Sequence, residues 1–408
     1  PRERVHLPRM PHAAAVALLF AVNRCYGLQT TTRRLRAIVR YDGTGFHGVQ
    51  KNQRTDDGTE LRTVLSELEQ SLWPALDQQV TFRVAGRTDA GVSALGQVVS
   101  FDLASRIEGD GDVDDEERIH VNGAAVCVSG LAGVLNSYLP SDLQIVEIAT
   151  VPSSFDAVRD CKWKRYRYRL PSCPPESDGN GDEEEDGDDE RGATLLKMVA
   201  SHAARAARQR AAAGEAGGDG SVAVGRRRRR KRRGAPLAIT DVEGMRRAAA
   251  LVEGTHDFAG FQASRGDQKG SVRTVFRCEI ETRGAQEEEA ARDVVPSADR
   301  LPPQPEGYDL IIEGDGFLYK MVRIIAGTLL MVGMGLAPPE TVLVALFSEA
   351  EGDTAPPDGA SAGDLGAPKS ELRRRGVVGP TLPPERLCLE HVEYDHDHDA
   401  SRELKEQS

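Results

Sequence analysis

Arg87, Thr88 and Asp89 stand side by side in the run Gly86-Arg87-Thr88-Asp89-Ala90-Gly91. One cation, one hydroxyl and one carboxylate are thus held between glycines. Glycine lets a backbone turn sharply and lets a ligand approach closely. Strand-like runs, Val80–Ala85 and Gln97–Asp102, flank the loop, so a reactive group here would sit on a rigid support. A solvated hairpin loop has the same composition, because Gly and Asp are common in turns. The loop residues alone leave both readings open.

Two further stretches carry candidate chemistry. Phe317–Val332 is apolar nearly all round and is expected to be a helix, with Lys320 and Arg323 as its only charges. A charge on a mostly buried helix is costly unless it is paired or reaches water. Arg323 therefore either snorkels to the surface or meets a carboxylate from elsewhere, for which Asp89 is the candidate. Trp163–Leu170 alternates strictly. Lys164, Tyr166, Tyr168 and Leu170 share one face of a strand, and Arg165, Arg167 and Arg169 share the other. Such a strand is a packed aromatic face with solvated arginines, or a surface that pairs base stacking with phosphate contacts.

The loop, read as Ala85-Gly86-Arg87-Thr88-Asp89-Ala90-Gly91-Val92 and continuing to Gly96-Gln97-Val98-Val99, resembles the signature of the TruA-type tRNA pseudouridine synthases. Further matches follow in the same order: Lys164-Arg165-Tyr166-Arg167-Tyr168, His256-Asp257-Phe258, Phe317-Leu318-Tyr319-Lys320-Met321-Val322-Arg323 and Gly379-Pro380-Thr381. The resemblance covers most of Arg34–Tyr394 apart from inserts. It implies isomerisation of uridine to pseudouridine in the anticodon stem-loop of tRNA. No redox or phosphoryl-transfer step is involved, so no cofactor and no metal are expected. By motif match Asp89 takes the catalytic role, attacking the nucleoside or abstracting a ribose proton. Arg323 matches the arginine beside it, a cation that would keep the carboxylate ionised in a cleft that excludes water. Tyr166 matches the tyrosine that contacts the target base. Arg87 matches the residue that helps hold the base out of the stack, since the reacting atom is unreachable within a stem. Thr88 joins the substrate-binding set. A homodimer sharing its RNA contacts is also implied. The chain departs from the family pattern at Phe155-Asp156-Ala157-Val158-Arg159, where Phe-His-Ala-Arg is usual, and at Val92-Ser93, where Val-His is common.

The elements that must position these residues indicate an α+β fold. Strands and helices mix without regular βαβ alternation. The resemblance implies two similar α/β-sandwich-like (ferredoxin-like) halves, whose mixed, mainly antiparallel sheets join across a central RNA-binding cleft. A half-buried strand begins at Leu35, Ala37, Val39 and Tyr41. A helix capped at Thr59 and closed by Pro74 follows, then the Asp89 loop. Val126–Tyr138 is expected as helix and Leu143–Ile148 as strand. The second half opens with a capping box at Thr240-Asp241-Val242-Glu243 and an apolar stripe of Met245, Ala248, Ala249 and Val252. Strands at Val272–Glu281 and Tyr308–Glu313 precede the Arg323 helix. A short helix at Val342–Phe347 and a strand at Leu387–Tyr394 close the body. The expected segments are 1–31 as a targeting extension without structure, 32–171 as the catalytic half, 172–236 as a disordered charged linker, 237–395 as the second half and 396–408 as a tail.

The chain has 408 residues and a net charge of −12, which at first argues against a nucleic-acid partner. The charge is concentrated, however, with acidic blocks at Glu108–Glu117 and Asp178–Glu190 and a basic octet at Arg226–Arg233. The remainder is only mildly acidic, so an RNA surface must be a local patch. Six cysteines form no Cys-x-x-Cys pair, which fits a reduced compartment and gives no zinc signature. Ala13–Val22 is too short to span a bilayer, and no membrane partner is expected. No acid occurs from Arg4 to Tyr41, which suggests an organellar leader; nucleus or cytoplasm is the alternative. The basic octet reads equally as a nuclear signal, an RNA tether or a partner for its acidic neighbour. Two other functions compete with the enzyme: a catalytically silent RNA-folding protein on the same scaffold, and a nuclear scaffold organised by the charged linker.

Overall fold

The computed structural model describes residues 29–51, 57–107, 118–121, 124–171, 187–212, 237–263, 270–283, 307–346, 372 and 376–395. The expected insert at 108–117, the stretches 172–186 and 213–236 with the basic octet, the inserts 284–306 and 352–366, and the tail 396–408 lie outside them.

The fold is α+β, built on one open, mainly antiparallel sheet. Its path runs β6 (Leu143–Val151), β1 (Gln29–Tyr41), β3 (Ser93–Ile107), β11 (Leu387–Glu393), β7 (Trp163–Leu170), β10 (Gly307–Gly314), β9 (Val272–Arg283) and β8 (Gly254–Asp257). A short β2 (Arg83–Val84) pairs with β3, and β4 (Arg118–Val121) with β5 (Ala124–Cys127) forms a separate ribbon. The last strand of the chain thus lies between strands of the first half. Its pairing to β3 is parallel and is limited to Cys388–Ser93 and Leu389–Ala94. The alternating residues Leu35, Ala37, Val39 and Tyr41 are buried, as the period-two pattern requires.

Helix α1 spans Val64–Leu76, α2 Val128–Asn136, α3 Gly187–Ala212, α4 Val242–Ala250, α5 Met321–Gly333 and α6 Thr341–Leu346. Every residue of α5 is buried, and the helix packs on β7, α3 and α4. Gly327 lets the chain cross α5 closely, because a β-carbon there would lie 2.2 Å from the Pro380 carbonyl oxygen.

Several boundaries differ from expectation for local reasons. Thr63, not Thr59, caps α1 through a reciprocal box with Ser66. The Gly48 and Val49 carbonyls take the Val64 and Leu65 amides at 3.2 and 3.1 Å, so a neighbouring loop fixes the helix start. Pro74 lies within the last turn, and Asp77 in left-handed conformation ends the helix. Asp241, not Thr240, caps α4 by accepting the Gly244 amide at 2.7 Å. The Thr240 amide instead bonds Gly333 at the end of α5. Helix α5 begins four residues later than Phe317, because Lys320 at φ 60° sets its start. Strand β1 begins at Gln29, inside the segment expected to lack structure. The largest correction is α3, which occupies part of the expected disordered linker. Its Leu195, Leu196, Val199 and Ala206 recur at helical spacing and are buried, so low complexity concealed an amphipathic helix.

Candidate active site

Three elements converge on Asp89. The first is its own loop. The Val92 amide bonds the Asp89 carbonyl at 3.2 Å, closing a tight turn in which Gly91 adopts φ +80°. A second loop lies beneath it. Val49 donates its amide to the Thr88 carbonyl, and Gly91 donates to the Phe46 carbonyl, both at 3.2 Å. A β-carbon at Gly48 would lie 2.9 Å from the Thr88 carbonyl, so this approach needs a glycine. That underlying loop also caps α1, so the helix and the reactive loop share one support.

A buried polar network holds the loop from inside. The Gln97 amide group donates to the Gly86 carbonyl at 2.8 Å and to the Tyr41 hydroxyl at 3.3 Å, while the Gly86 amide donates to Gln97 Oε1 at 3.2 Å. The Tyr41 hydroxyl lies 2.8 Å from Thr88 Oγ1. Burial pushes the Tyr41 phenol up to about 12, despite the opposing pull of its bonds to Thr88 and Gln97. It therefore serves as a neutral hydrogen-bonding group. Thr88 is buried, with its hydroxyl bonded to that of Tyr41.

The second element is α5. Arg323 donates from Nη1 to Asp89 Oδ2 at 3.1 Å, across 234 residues of sequence. Its Nε donates to the Leu382 carbonyl at 2.6 Å, and the Leu382 amide returns a bond to the Arg323 carbonyl at 3.2 Å. The sequence expectation that Arg323 pairs with Asp89, rather than snorkelling, matches this geometry. Arg323 is 8% exposed, whereas the Asp89 side chain keeps 29% of its surface open. Asp89 Oδ1 has no hydrogen-bond partner among the described residues.

The third element is β7. Tyr166 is buried edge-on against Phe317, with ring centroids 5.2 Å apart. Its hydroxyl faces Gly86, where a β-carbon would lie 3.6 Å away, and Lys164 lies closer still at 3.2 Å. Burial raises the Tyr166 phenol far above its ordinary range, with the Tyr41 and Asp89 charges acting in the same direction. The hydroxyl is thus a proton donor at neutral pH. The outward residues of this strand behave differently. Arg165 pairs with Glu313 at 2.8 Å, and Arg167 pairs with Asp309 at 2.7 Å and Glu390 at 2.5 Å. Carboxylates, not phosphates, already occupy those two arginines. Arg87 is exposed on the loop and takes no part in the Asp89–Arg323 contact.

Sequence reasoning brought Asp89, Arg323 and Tyr166 together. It gave no role to Gln97, Tyr41 or Lys164. A glutamine among apolar residues on the core side of β3 is the signal that would have pointed to the network. Among the described residues no cluster of His, Cys, Asp or Glu could hold a metal ion, and no helix is long and apolar enough to cross a membrane.

Residues 248–365, which include Arg323 but not Asp89, match the family model described as tRNA pseudouridine synthase. The chain is similar to tRNA pseudouridine synthase A of Halalkalibacterium halodurans, with 30% identity over 86% of this chain and 98% of that relative. It is 28% identical to the Syntrophomonas wolfei protein of that name, over 89% of this chain and 98% of the relative. It is 27% identical to tRNA pseudouridine synthase A 2 of Clostridium tetani, over 78% and 90% of the two chains. Both the Asp89 loop and the arginine that reaches it therefore belong to a likeness that runs nearly the full length of these relatives, and the chain is a member of the tRNA pseudouridine synthase A family.

Proposed function

We propose that this protein isomerises uridine to pseudouridine in tRNA, with Asp89 as the reacting carboxylate. The observation that carries this is the half-satisfied ion pair. Arg323 takes one carboxylate oxygen at 3.1 Å and leaves the other without a partner among the described residues, on a side chain 29% exposed. Buried Asp309, by contrast, has both oxygens taken, by Arg167 and Arg283. In the reaction the bond between uracil N1 and ribose C1′ breaks. The base turns, C5 bonds to C1′, and the C5 proton leaves as N1 regains one. Asp89 either adds to the nucleoside or takes a ribose proton to open this path. Tyr166 faces the base with a neutral hydroxyl, and exposed Arg87 stands where an extruded nucleotide would enter. Thr88 acts from behind the loop, through Tyr41.

We also infer that the sheet comprises two related ferredoxin-like halves meeting where β11 passes between β3 and β7, and that the target lies in the anticodon arm. Asp89 and Arg323 come from opposite halves, which supports a shared cleft. A homodimer is part of the same reading.

The test is tritium release from tRNA labelled at uridine C5. Release by the native chain and none by Asp89→Asn, with tRNA binding retained, supports the enzyme. Equal traces from both would favour an RNA-folding protein instead.

A further inference from the structure

We propose that the exposed face of α3 is a second RNA-binding surface, gripping tRNA phosphates outside the Asp89 cleft. This rests on the reading of tRNA as the substrate. The helix is firmly seated. Leu195, Leu196, Val199 and Ala206 are buried, and the helix packs on α5. His202 Nε2 bonds the Val378 carbonyl at 3.1 Å. The segment from Val378 leads within four residues to Leu382, whose carbonyl holds Arg323. The inner face of α3 therefore rests on the strap that positions the site arginine.

From Gly192 on, past the acids of its first turn at Asp188, Asp189 and Glu190, α3 carries exposed charges of one sign. Lys197, Arg205 and Arg208 are exposed, and no acidic residue occurs between Gly192 and Gln209. At about 100° per residue, Lys197 and Arg208 lie within about 20° of each other around the axis, and Arg205 about 80° away. They span about 16 Å of helix. None of the three has a carboxylate partner among the described residues. The arginines of the sheet differ in this respect: Arg34, Arg165, Arg167 and Arg277 all meet acids. A helix face shaped for solubility alone mixes signs at i,i+4 spacing. A stretch from Gly192 to Gln209 whose exposed charges are all basic, on a chain of net charge −12, is the local patch that a polyanion requires. Its contacts are expected to be to phosphate, because Lys and Arg without aromatic neighbours position a backbone and do not read bases.

The experiment compares full-length native protein with two triple variants, Lys197→Glu/Arg205→Glu/Arg208→Glu and the same positions changed to Gln. Binding of an unmodified tRNA transcript is measured across a salt series, alongside steady-state tritium release. The Glu variant is expected to raise Kd and KM at least tenfold. The Gln variant is expected to flatten the slope of log affinity against log salt by about 2 to 3, one lost counterion per lost contact. Both variants keep the native kcat at saturating tRNA and the native Tm. Unchanged Kd, KM and salt slope in both variants would overturn the proposal, and so would a fall in kcat with Kd unchanged. If the native chain binds tRNA but releases no tritium, the proposed activity fails while the binding comparison still decides this surface.

Discussion

Arg323 and Arg167 both reach carboxylates far away in sequence, yet they are used in opposite ways. Arg167 lies on the outward face of β7 and pairs with Asp309 on one neighbouring strand and Glu390 on the other, and Arg283 takes the second oxygen of Asp309. Arg167 ties β7 to its two neighbours, β10 and β11. Arg323 lies on the inward side, at the start of α5, and divides its donors between a backbone carbonyl and one oxygen of Asp89. The first arrangement leaves neither oxygen of Asp309 for a ligand. The second presents an oriented carboxylate with capacity to spare. Saturation of the carboxylate, more than the presence of an ion pair, separates Asp309 from Asp89.

That contrast can be broken by changing each arginine. Lys at 323 offers a single ammonium and cannot serve both Leu382 and Asp89 in the fork geometry that guanidinium provides. Arg323→Lys is expected to lower kcat about 100-fold, roughly 2.7 kcal/mol of transition-state stabilisation, with KM nearly unchanged. Arg167→Met should do the reverse. It leaves buried Asp309 with Arg283 alone and is expected to cost about 3 kcal/mol of stability, because removing one partner strands a buried charge. Its kcat at a temperature where it remains folded should match the native value. Denaturant unfolding and tritium release on the same two variants decide the matter. A loss of kcat in both, or of stability alone in both, would dissolve the distinction.

The sequence revealed the chemistry more fully than the supports. Asp89 and Arg323 could be paired beforehand because each is conspicuous: one sits between glycines, the other on an otherwise apolar helix. The Gln97–Tyr41–Thr88 network was hidden because its members are adjacent only after β1 and β3 pair, and no local pattern records that. The bond between Thr88 and Tyr41 therefore has no trace in the sequence. The α1 cap is misplaced from sequence for a similar reason, since the Val64 and Leu65 amides are satisfied by an upstream loop, at Gly48 and Val49. Helix α3 was missed because alanine and arginine dominate its composition, although Leu195, Leu196, Val199 and Ala206 carry the helical period.

The network behind the loop should give an effect between those of the two arginines and a surface change. Gln97→Leu keeps the volume but strands both backbone groups of Gly86 and leaves the Tyr41 hydroxyl with Thr88 alone. It is expected to cost about 1–3 kcal/mol of stability, the usual penalty for buried groups left without partners. If the network orients Asp89, kcat also falls about tenfold while tRNA affinity holds. A stability loss with native kcat would make it scaffold, like Arg167.

The smallest effect belongs to a pair set one step further back. Arg62 stacks over Phe46 at 4.2 Å and clamps Asp142 with two bonds, at 2.6 and 2.9 Å. It thereby steadies the loop under Asp89. Hydrogen bonding to Arg62 holds the Asp142 carboxyl below the usual carboxylate range. The folded state thus binds its proton less readily than the unfolded chain does. The stability gained is fully present above about pH 4, the unfolded value for an aspartate, and is lost as pH falls through the depressed folded value. Asp142→Asn should therefore flatten the acid limb of a Tm-against-pH curve between about pH 5 and 2. With both side chains about one-third exposed, solvent screening keeps the effect at neutral pH to about 1 kcal/mol or less. The kcat should stay near native, because the loop under Asp89 keeps its backbone bonds to Thr88 and Gly91. A tenfold drop in kcat would instead place this pair with Arg323, and saturation would no longer mark the boundary of the site.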